Sequence, residues 1–285
     1  LTEVYVQGVS TRKVAAIIKK LCGSNVSSGL VSRATAQMDE QLTKWRNSPI
    51  GESIYLYLDA RYEKVRQDGQ VRDTAVLIAV GVGPEGHRKV LGVSASLSEQ
   101  EVHWRTFMES LVKRGLRGVQ LIISDDHAGL NAARKAVFGG VPWQRCQFHL
   151  QQNAQAYVPH KEMQLEVAEA LRTVFNAPDR PTAERYLADA VKKYEKSASR
   201  LATWMEQNVP EGLTCFSFPA AHRRSIRTSN PVERLNREVK RRTRVVGIFP
   251  NEASCLRLVS AILLEISDEW EAGRIYLSMP APGST

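Results

Sequence analysis

Apolar residues recur with two different periods along the chain, and the change of period separates helical from sheet-forming stretches. Residues 1–47 carry apolar side chains at every third or fourth position, which predicts two helices, one from Ser10 to Gly23 and one from about Ser28. From residue 53 the apolar residues run together in short blocks, as is typical of strands. The predicted strands cover residues 53–60, 73–82, 89–95, 119–125 and 141–146, and the helices between them cover residues 99–115 and 128–138.

The order of these elements predicts the architecture. Three consecutive strands followed by alternating helices and strands make a mixed five-stranded sheet with helices on its faces, in which the first and fourth strands lie side by side. Residues 150–215 return to a helical period, followed by a predicted loop over 216–230 and helices over 231–243 and 251–272. We therefore expect an α/β protein with four parts: a helical N-terminal region (1–50), a sheet domain in two segments (51–149 and 221–285), and an all-α insertion (150–220).

Three acidic residues are candidates for catalysis. Asp59 and Asp125 each follow an apolar block that predicts a strand, and Glu233 lies in the helix predicted over residues 231–243. Ligands of open sheets bind beyond strand ends, so neighbouring strands would bring the two aspartates together. Three carboxylates can hold two divalent cations about 3.5–4 Å apart. Ligation by carboxylates alone favours Mg²⁺ or Mn²⁺.

Each acid also has an ordinary structural interpretation. An aspartate after a strand commonly forms a turn or caps a helix, and Asp126 beside Asp125 could cap the helix predicted from residue 128. Glu233 could simply pair with Arg237 one turn later. The pattern leaves both interpretations open for each acid taken singly. The three acids together, with a basic helix around Glu233, favour a catalytic site.

Positive charge is concentrated around the third acid. The formal net charge of the 285-residue chain is +9, and nine basic residues stand against two acidic ones between His222 and Arg244. A helix places Glu233, Arg237, Lys240 and Arg244 on one side, so a cation-binding acid would stand beside side chains that suit nucleic-acid phosphates. The alternative is a solvated or lipid-facing basic helix. The candidate phosphate-binding residues are Arg227, Arg237, Lys240, Arg241 and Arg244.

The N-terminal pattern also suggests DNA. A short helix, a tight turn and a second helix resemble a helix-turn-helix, whose second helix would present Arg33 to a groove. A plain helical hairpin that packs on the main domain fits the pattern equally well. The sequence therefore leaves the role of this region open.

Cysteine usage indicates a reducing compartment. The four cysteines, Cys22, Cys146, Cys215 and Cys255, form no close pairs, and a chain with a sizeable core does not need disulfides. No segment approaches the roughly 18 apolar residues of a membrane span, so we expect a cytoplasmic protein. Cys146 and His149 have zinc-finger-like spacing, but no second pair of comparable spacing follows, and we interpret the motif as structural.

Four blocks of sequence together resemble the Mutator-type bacterial insertion-sequence transposases over nearly the whole chain. The blocks are LDARY at 58–62 with Lys64, SDDHAGL at 124–130, WQRCQFH at 143–149, and TSNPVERLN at 228–236, which runs into KRRTR at 240–244 and GIFPN at 247–251. The resemblance implies a DDE catalytic domain of ribonuclease-H-like fold, in which Asp59, Asp125 and Glu233 are the metal-binding triad. It also implies a helical insertion before Glu233, a Cys-x-x-His motif at the junction, and N-terminal helices that bind DNA.

On this resemblance we expect a transposase that uses two Mg²⁺ or Mn²⁺ ions to cleave at element ends and to transfer the 3′-hydroxyl into target DNA. Its partners would be double-stranded DNA, as terminal inverted repeats and as target, and a second copy of the chain, because two ends are joined in one event. It would act at the bacterial nucleoid and would not associate with a membrane. Two alternatives remain: a structure-selective nuclease of the same fold, and a helix-turn-helix DNA-binding protein with an inactive catalytic domain.

Overall fold

A five-stranded mixed sheet lies at the centre of the protein, whose computed structural model describes residues 28–279. The strands are β1 (Tyr55–Gln67), β2 (Gln70–Val82), β3 (Arg88–Ser96), β4 (Leu121–Ser124) and β5 (Trp143–Arg145). Their order is β3-β2-β1-β4-β5; β1, β2 and β3 form an antiparallel meander, and β4 and β5 run parallel to β1. The mixed five-stranded sheet and the pairing of the first strand with the fourth are confirmed.

Helices precede the sheet, connect its later strands and follow it. They are α1 (Ser28–Arg46), α2 (Glu101–Lys113), α3 (Ala128–Val137), α4 (Gln147–Gln155), α5 (Gln164–Phe175), α6 (Arg180–Tyr194), α7 (Ser199–Asn208), α8 (Ala220–Ile226), α9 (Asn230–Thr243) and α10 (Glu252–Ala272). The first predicted helix, and with it the helix-turn-helix, lies outside the described residues. No helix in the described part of the chain is long and apolar enough to cross a membrane.

Alternating residues of β1 pack into two separate hydrophobic cores, one on each face of the sheet. Leu56 and Leu58 pack with Trp104 of α2 on one face. Tyr55 and Tyr57 point to the other face, where α10 and the helices between β5 and α9 pack. Because both faces are buried, a one-residue slip of β1 would move each set of side chains into the core that is packed around the other set, and its register is therefore fixed.

Strand β1 continues past Asp59, which corrects the prediction that the strand ends there. Residues 61–67 pair with residues 70–76 in a hairpin closed by Asp68 and Gly69, whose φ angles are 49° and 78°. Asp-Gly favours such a two-residue turn, but the polar residues before it hid the strand. The parallel partner β4 ends opposite Leu58. Asp59 therefore lies just beyond the end of β4 although it is inside β1.

The prediction of a loop over residues 216–230 is wrong in part, because Ala220–Ile226 form α8. The buried side chains of α8 are His222 and Ile226, and a histidine with a single isoleucine gives no apolar period. The His222 Nε2–H donates to the carbonyl of Ser278 at 2.9 Å, so Nδ1 accepts from the Tyr55 hydroxyl at 2.7 Å. The whole stretch from α4 to α8 is helical, in line with the helical period of the sequence.

Candidate active site

The structure brings the three predicted acids towards the same end of β4. Asp59 follows the last β1 residue paired with β4, Asp125 follows β4 directly, and Glu233 lies in the first turn of α9. Burial is the main reason that the pKa of Asp59 is raised to about 7, and the charges of Asp125 and Glu233 act in the same direction. A hydrogen bond from the N–H of Ala60 (2.9 Å) and the charge of His149 oppose that rise. The three acids thus share one electrostatic environment.

Asn236 ties α9 to β1 at the position of Asp59. Its Nδ2 donates to Asp59 Oδ2 at 2.7 Å, while Arg61 Nη1 donates to the backbone carbonyl of Asn236 at 2.5 Å. The other amide atom, Asn236 Oδ1, is buried and has no hydrogen-bond partner in the described residues. Sequence analysis missed this residue. Its signal is the spacing i, i+3 from Glu233, which puts both side chains on one side of α9.

Glu233 is held by the residue that precedes α9. The Ser229 hydroxyl donates to Glu233 Oε1 at 3.0 Å, and the Ser229 N–H lies 3.4 Å from the sulfur of Cys146, which is buried just after β5. An ion pair between Glu233 and Arg237, the ordinary interpretation of the sequence, does not occur within residues 28–279. Ser229 is a second site residue that sequence analysis missed.

Cys146, His149 and Glu233 form a compact group. Their ligand atoms lie within 4.8 Å of one another, and this is the one such set of three in the part of the chain that the structure describes. His149 Nδ1 is also 3.8 Å from Asp125 Oδ1. The sulfur of Cys146 is the main reason that the pKa of His149 is raised to about 9. Burial acts to raise the pKa of Cys146, but hydrogen bonding with His149 and Ser229 lowers it overall.

Asp126 is turned away from this group. Its carboxylate pairs with Arg145 Nη1 at 3.0 Å and accepts a hydrogen bond from the Asn131 amide, whereas Asp125 is the one near His149. The N-cap position of α3 belongs to His127, and no side chain caps that end. The interpretation of Asp126 as a helix cap is therefore wrong, and the two neighbouring aspartates have different surroundings.

A groove of about 730 Å³ runs along α9 past Glu233, and we call it the active-site groove. It is lined by Arg61, Tyr62, Phe148, His149, Asn230, Glu233, Asn236, Arg237 and Lys240. Arg237 and Lys240 are exposed and make no ion pair with another described residue. At roughly 1.5 Å per residue, Lys240 lies about 10 Å along the helix axis from Glu233.

The other predicted phosphate-binding residues lie outside the groove. Arg241 makes two hydrogen bonds with Glu238, at 2.9 and 2.7 Å. Arg227 donates to Asn176 Oδ1 at 2.7 Å beside the groove, and Arg244 is exposed at the end of α9. Arg33 belongs to the first turns of α1, whose side chains are outside the description. Only part of the predicted basic set therefore faces the acids.

Comparison with known proteins gives matches along the chain. The family described as "Transposase, Mutator family" matches residues 1–273. The transposase for insertion sequence element IS406 of Burkholderia multivorans is 57% identical over 280 residues, covering 98% of this chain and 72% of that protein. The transposase for ISRM5 of Rhizobium meliloti is 42% identical over 98% of this chain and 70% of its own length. The transposase for IS256 in transposon Tn4001 of Staphylococcus aureus is 37% identical, with coverages of 95% and 70%.

Proposed function

The chain belongs to the Mutator family of transposases, and from that premise we propose that it moves an insertion sequence by cation-dependent cleavage at the element ends and transfer of the 3′-hydroxyl into target DNA. One observation carries the proposal. Asp59, Asp125 and Glu233 come from three separate elements at one end of β4, where the charges of Asp125 and Glu233 act on Asp59, and Glu233 lines the groove together with Arg237 and Lys240. Phosphodiester chemistry needs acidic side chains that bind a cation and basic side chains that bind the phosphate backbone.

The topology supports a ribonuclease-H-like assignment. The order β3-β2-β1-β4-β5, with an antiparallel meander followed by parallel strands, places the first and fourth strands side by side at the site. The helices α4 to α8 stand between Asp125 and Glu233 in the sequence, which supports an all-α insertion there. The division into residues 1–50, 51–149, 150–220 and 221–285 is part of this proposal.

The donor set fits a hard divalent cation. Asp59, Asp125 and Glu233 offer carboxylate oxygens, and the unpartnered Asn236 Oδ1 adds a buried carbonyl oxygen. Oxygen ligands of this kind suit Mg²⁺ and Mn²⁺ better than zinc. The sulfur of Cys146 already accepts a hydrogen bond from the Ser229 N–H at 3.4 Å. When bound, two such ions supply activation of the attacking oxygen and stabilisation of the leaving oxygen.

The residues of the chain itself position the DNA and the acids. Arg237 and Lys240 would grip successive phosphates along the groove, which sets the register of the strand relative to Glu233. Ser229 and Asn236 orient Glu233 and Asp59 through hydrogen bonds. The partners we propose are double-stranded DNA, as element ends and target, and a second copy of the chain at the nucleoid.

Substitution of the acids tests the proposal. Asp59→Ala, Asp125→Ala and Glu233→Ala should each abolish cleavage of labelled duplexes that carry the element ends, while binding measured by gel shift persists. Asp126→Asn and Glu238→Gln are matched controls, because those acids are held by arginines away from the groove, and they should cleave normally. Full cleavage by any alanine variant would remove that acid from the site.

The products distinguish the alternatives. Cleavage without joining of a supplied 3′-hydroxyl end would indicate a structure-selective nuclease. DNA binding that needs no metal, without cleavage in Mg²⁺ or Mn²⁺, would indicate a DNA-binding protein with an inactive catalytic domain.

A further inference from the structure

A second, smaller pocket opens beside the active-site groove. It has a volume of about 250 Å³ and lies between α4, the end of α5 and the segment that leads into α9; we call it the side pocket. Its lining consists of Gln147, Phe148, Gln151, Arg172, Phe175, Asn176, Arg227, Thr228 and Asn230. Phe148 and Asn230 line both the side pocket and the groove. The two spaces are therefore adjacent, with Glu233 one turn of α9 from their shared wall.

The side pocket combines an aromatic face, positive charge and one hydroxyl without a hydrogen-bond partner among the described residues. Phe148 is 43% exposed, and single exposed apolar residues are common, but this one stands beside Arg172 and Arg227. Thr228 Oγ1 is buried and lacks a hydrogen-bond partner in residues 28–279. A buried hydroxyl without a partner carries a desolvation cost of about 1–3 kcal/mol, so it marks a place where an incoming polar group is favoured.

We infer that the side pocket holds one nucleobase of the DNA strand, unstacked from the duplex next to the scissile phosphate. The inference rests on the proposed function. The Phe148 ring stacks on the base, the Thr228 hydroxyl and the Gln151 amide face its polar edge, and Arg172 binds the adjoining phosphate. The volume lies below the roughly 300–1,000 Å³ of pockets that enclose drug-sized ligands, which fits a single base and excludes a duplex.

The layout of α9 gives the strand a continuous path. Lys240, Arg237, Glu233 and Asn230 occupy successive turns and all line the groove, and Asn230 also lines the side pocket. A strand whose phosphates follow the two basic residues reaches the acid and then the pocket. Removing one base from the stack there would release the backbone to bend towards Glu233, which an intact duplex would resist.

Fluorescence of 2-aminopurine tests this directly. The probe is placed singly at successive positions across the cleavage site and bound to the Glu233→Gln variant, so that the signal does not depend on cleavage. We expect fluorescence to rise at one position, and Phe148→Ala introduced into the same protein should abolish the rise. Leu165→Ala is the matched control, because this exposed residue of α5 lies outside the pocket.

Cleavage rates give a second readout. Stacking on an aromatic ring contributes about 1–3 kcal/mol per base, so Phe148→Ala should slow cleavage by about 5- to 160-fold on a paired substrate. A mismatch at the responding position removes the unpairing cost and should restore much of the rate, which a merely structural defect would not allow. Arg172→Ala should slow cleavage, and Arg200→Ala, an exposed arginine outside the pocket, should not.

The outcomes separate the two proposals. If no position responds and Phe148→Ala cleaves at the wild-type rate, the side pocket does not hold a base, while the proposed function stands. If Phe148→Ala fails to fold, Gln151→Ala takes its place in the fluorescence and cleavage measurements. If wild-type protein shows no cation-dependent cleavage, the proposed function fails, and a fluorescence rise at one position would still show that the pocket captures a base.

Discussion

The hydroxyl of Ser229 should determine how well Glu233 binds a cation. Ser229 is 1% exposed, and its Oγ lies 3.0 Å from Glu233 Oε1. A hydrogen bond to a charged group contributes about 1.5–3 kcal/mol, which corresponds to roughly 13- to 160-fold. Loss of a partner that orients a metal ligand typically costs about 10- to 100-fold in affinity or activity. We therefore expect Ser229→Ala to slow cleavage by about 10- to 100-fold at limiting Mn²⁺.

The assay is single-turnover nicking of a labelled element end over a range of Mn²⁺ concentrations, with the melting temperature measured in parallel. The half-saturating Mn²⁺ concentration should rise in Ser229→Ala, and saturating Mn²⁺ should recover part of the rate. Ser254→Ala is the control, because that hydroxyl makes no hydrogen bond to a described residue and lies on α10. A Ser229→Ala variant with wild-type rate and wild-type dependence on Mn²⁺ would refute the reasoning.

The remaining predictions concern the charged residues of α9. Arg242 is buried and donates hydrogen bonds to Glu265 at 2.6 and 2.9 Å. Because Glu265 is partly exposed, Arg242→Ala should lower the free energy of unfolding in urea by about 1–3 kcal/mol, which is less than for a fully buried pair. An unchanged urea midpoint would contradict this prediction. Lys240→Ala should reduce the slope of the logarithm of the DNA-binding constant against the logarithm of the salt concentration by about 0.9. Arg241→Ala should reduce this slope by less, because Arg241 is already hydrogen-bonded to Glu238. Equal slopes for both variants would contradict this prediction. Hydrogen bonds from Arg241 and Arg242 lower the pKa of Glu238 from 4.5 to about 2, so its contribution to stability is complete above about pH 4.5 and is lost as the pH falls towards 2. Glu238→Gln should therefore reduce the dependence of the melting temperature on pH over that range. An unchanged dependence of the melting temperature on pH would show that Glu238 does not contribute.

The sequence was sufficient for features that depend on apolar blocks. Apolar runs before Asp59 and Asp125 predict two strands, and element order predicts that they are neighbours, as the register of Leu58 with Ser124 confirms. A polar strand is different. The second half of β1 is held by its backbone pairing with β2 and by the Asp68-Gly69 turn, and its side chains carry little trace of that pairing.

The parts of the site that sequence analysis missed depend on contacts between distant residues. Asn236 and Ser229 act through hydrogen bonds to Asp59 and Glu233, and apart from the i, i+3 spacing of Asn236 from Glu233 nothing in their local pattern marks them. A charge run likewise does not show which of its members is buried. Arg242 continues the apolar stripe of Val232, Leu235 and Val239 by one further turn, so its position on the helix, more than its charge, decides that it faces Glu265.

Cleavage and joining on labelled duplexes that carry the element's own ends, in Mn²⁺ and in Mg²⁺, test the central claim most directly. We expect the wild-type protein to nick these ends and join the resulting 3′-hydroxyl to a second duplex only when the cation is present. Glu233→Gln should lose both steps while it still binds the same DNA. Joining that survives in Glu233→Gln, or wild-type binding without any cleavage, would contradict the assignment of Asp59, Asp125 and Glu233 as the catalytic acids of a transposase.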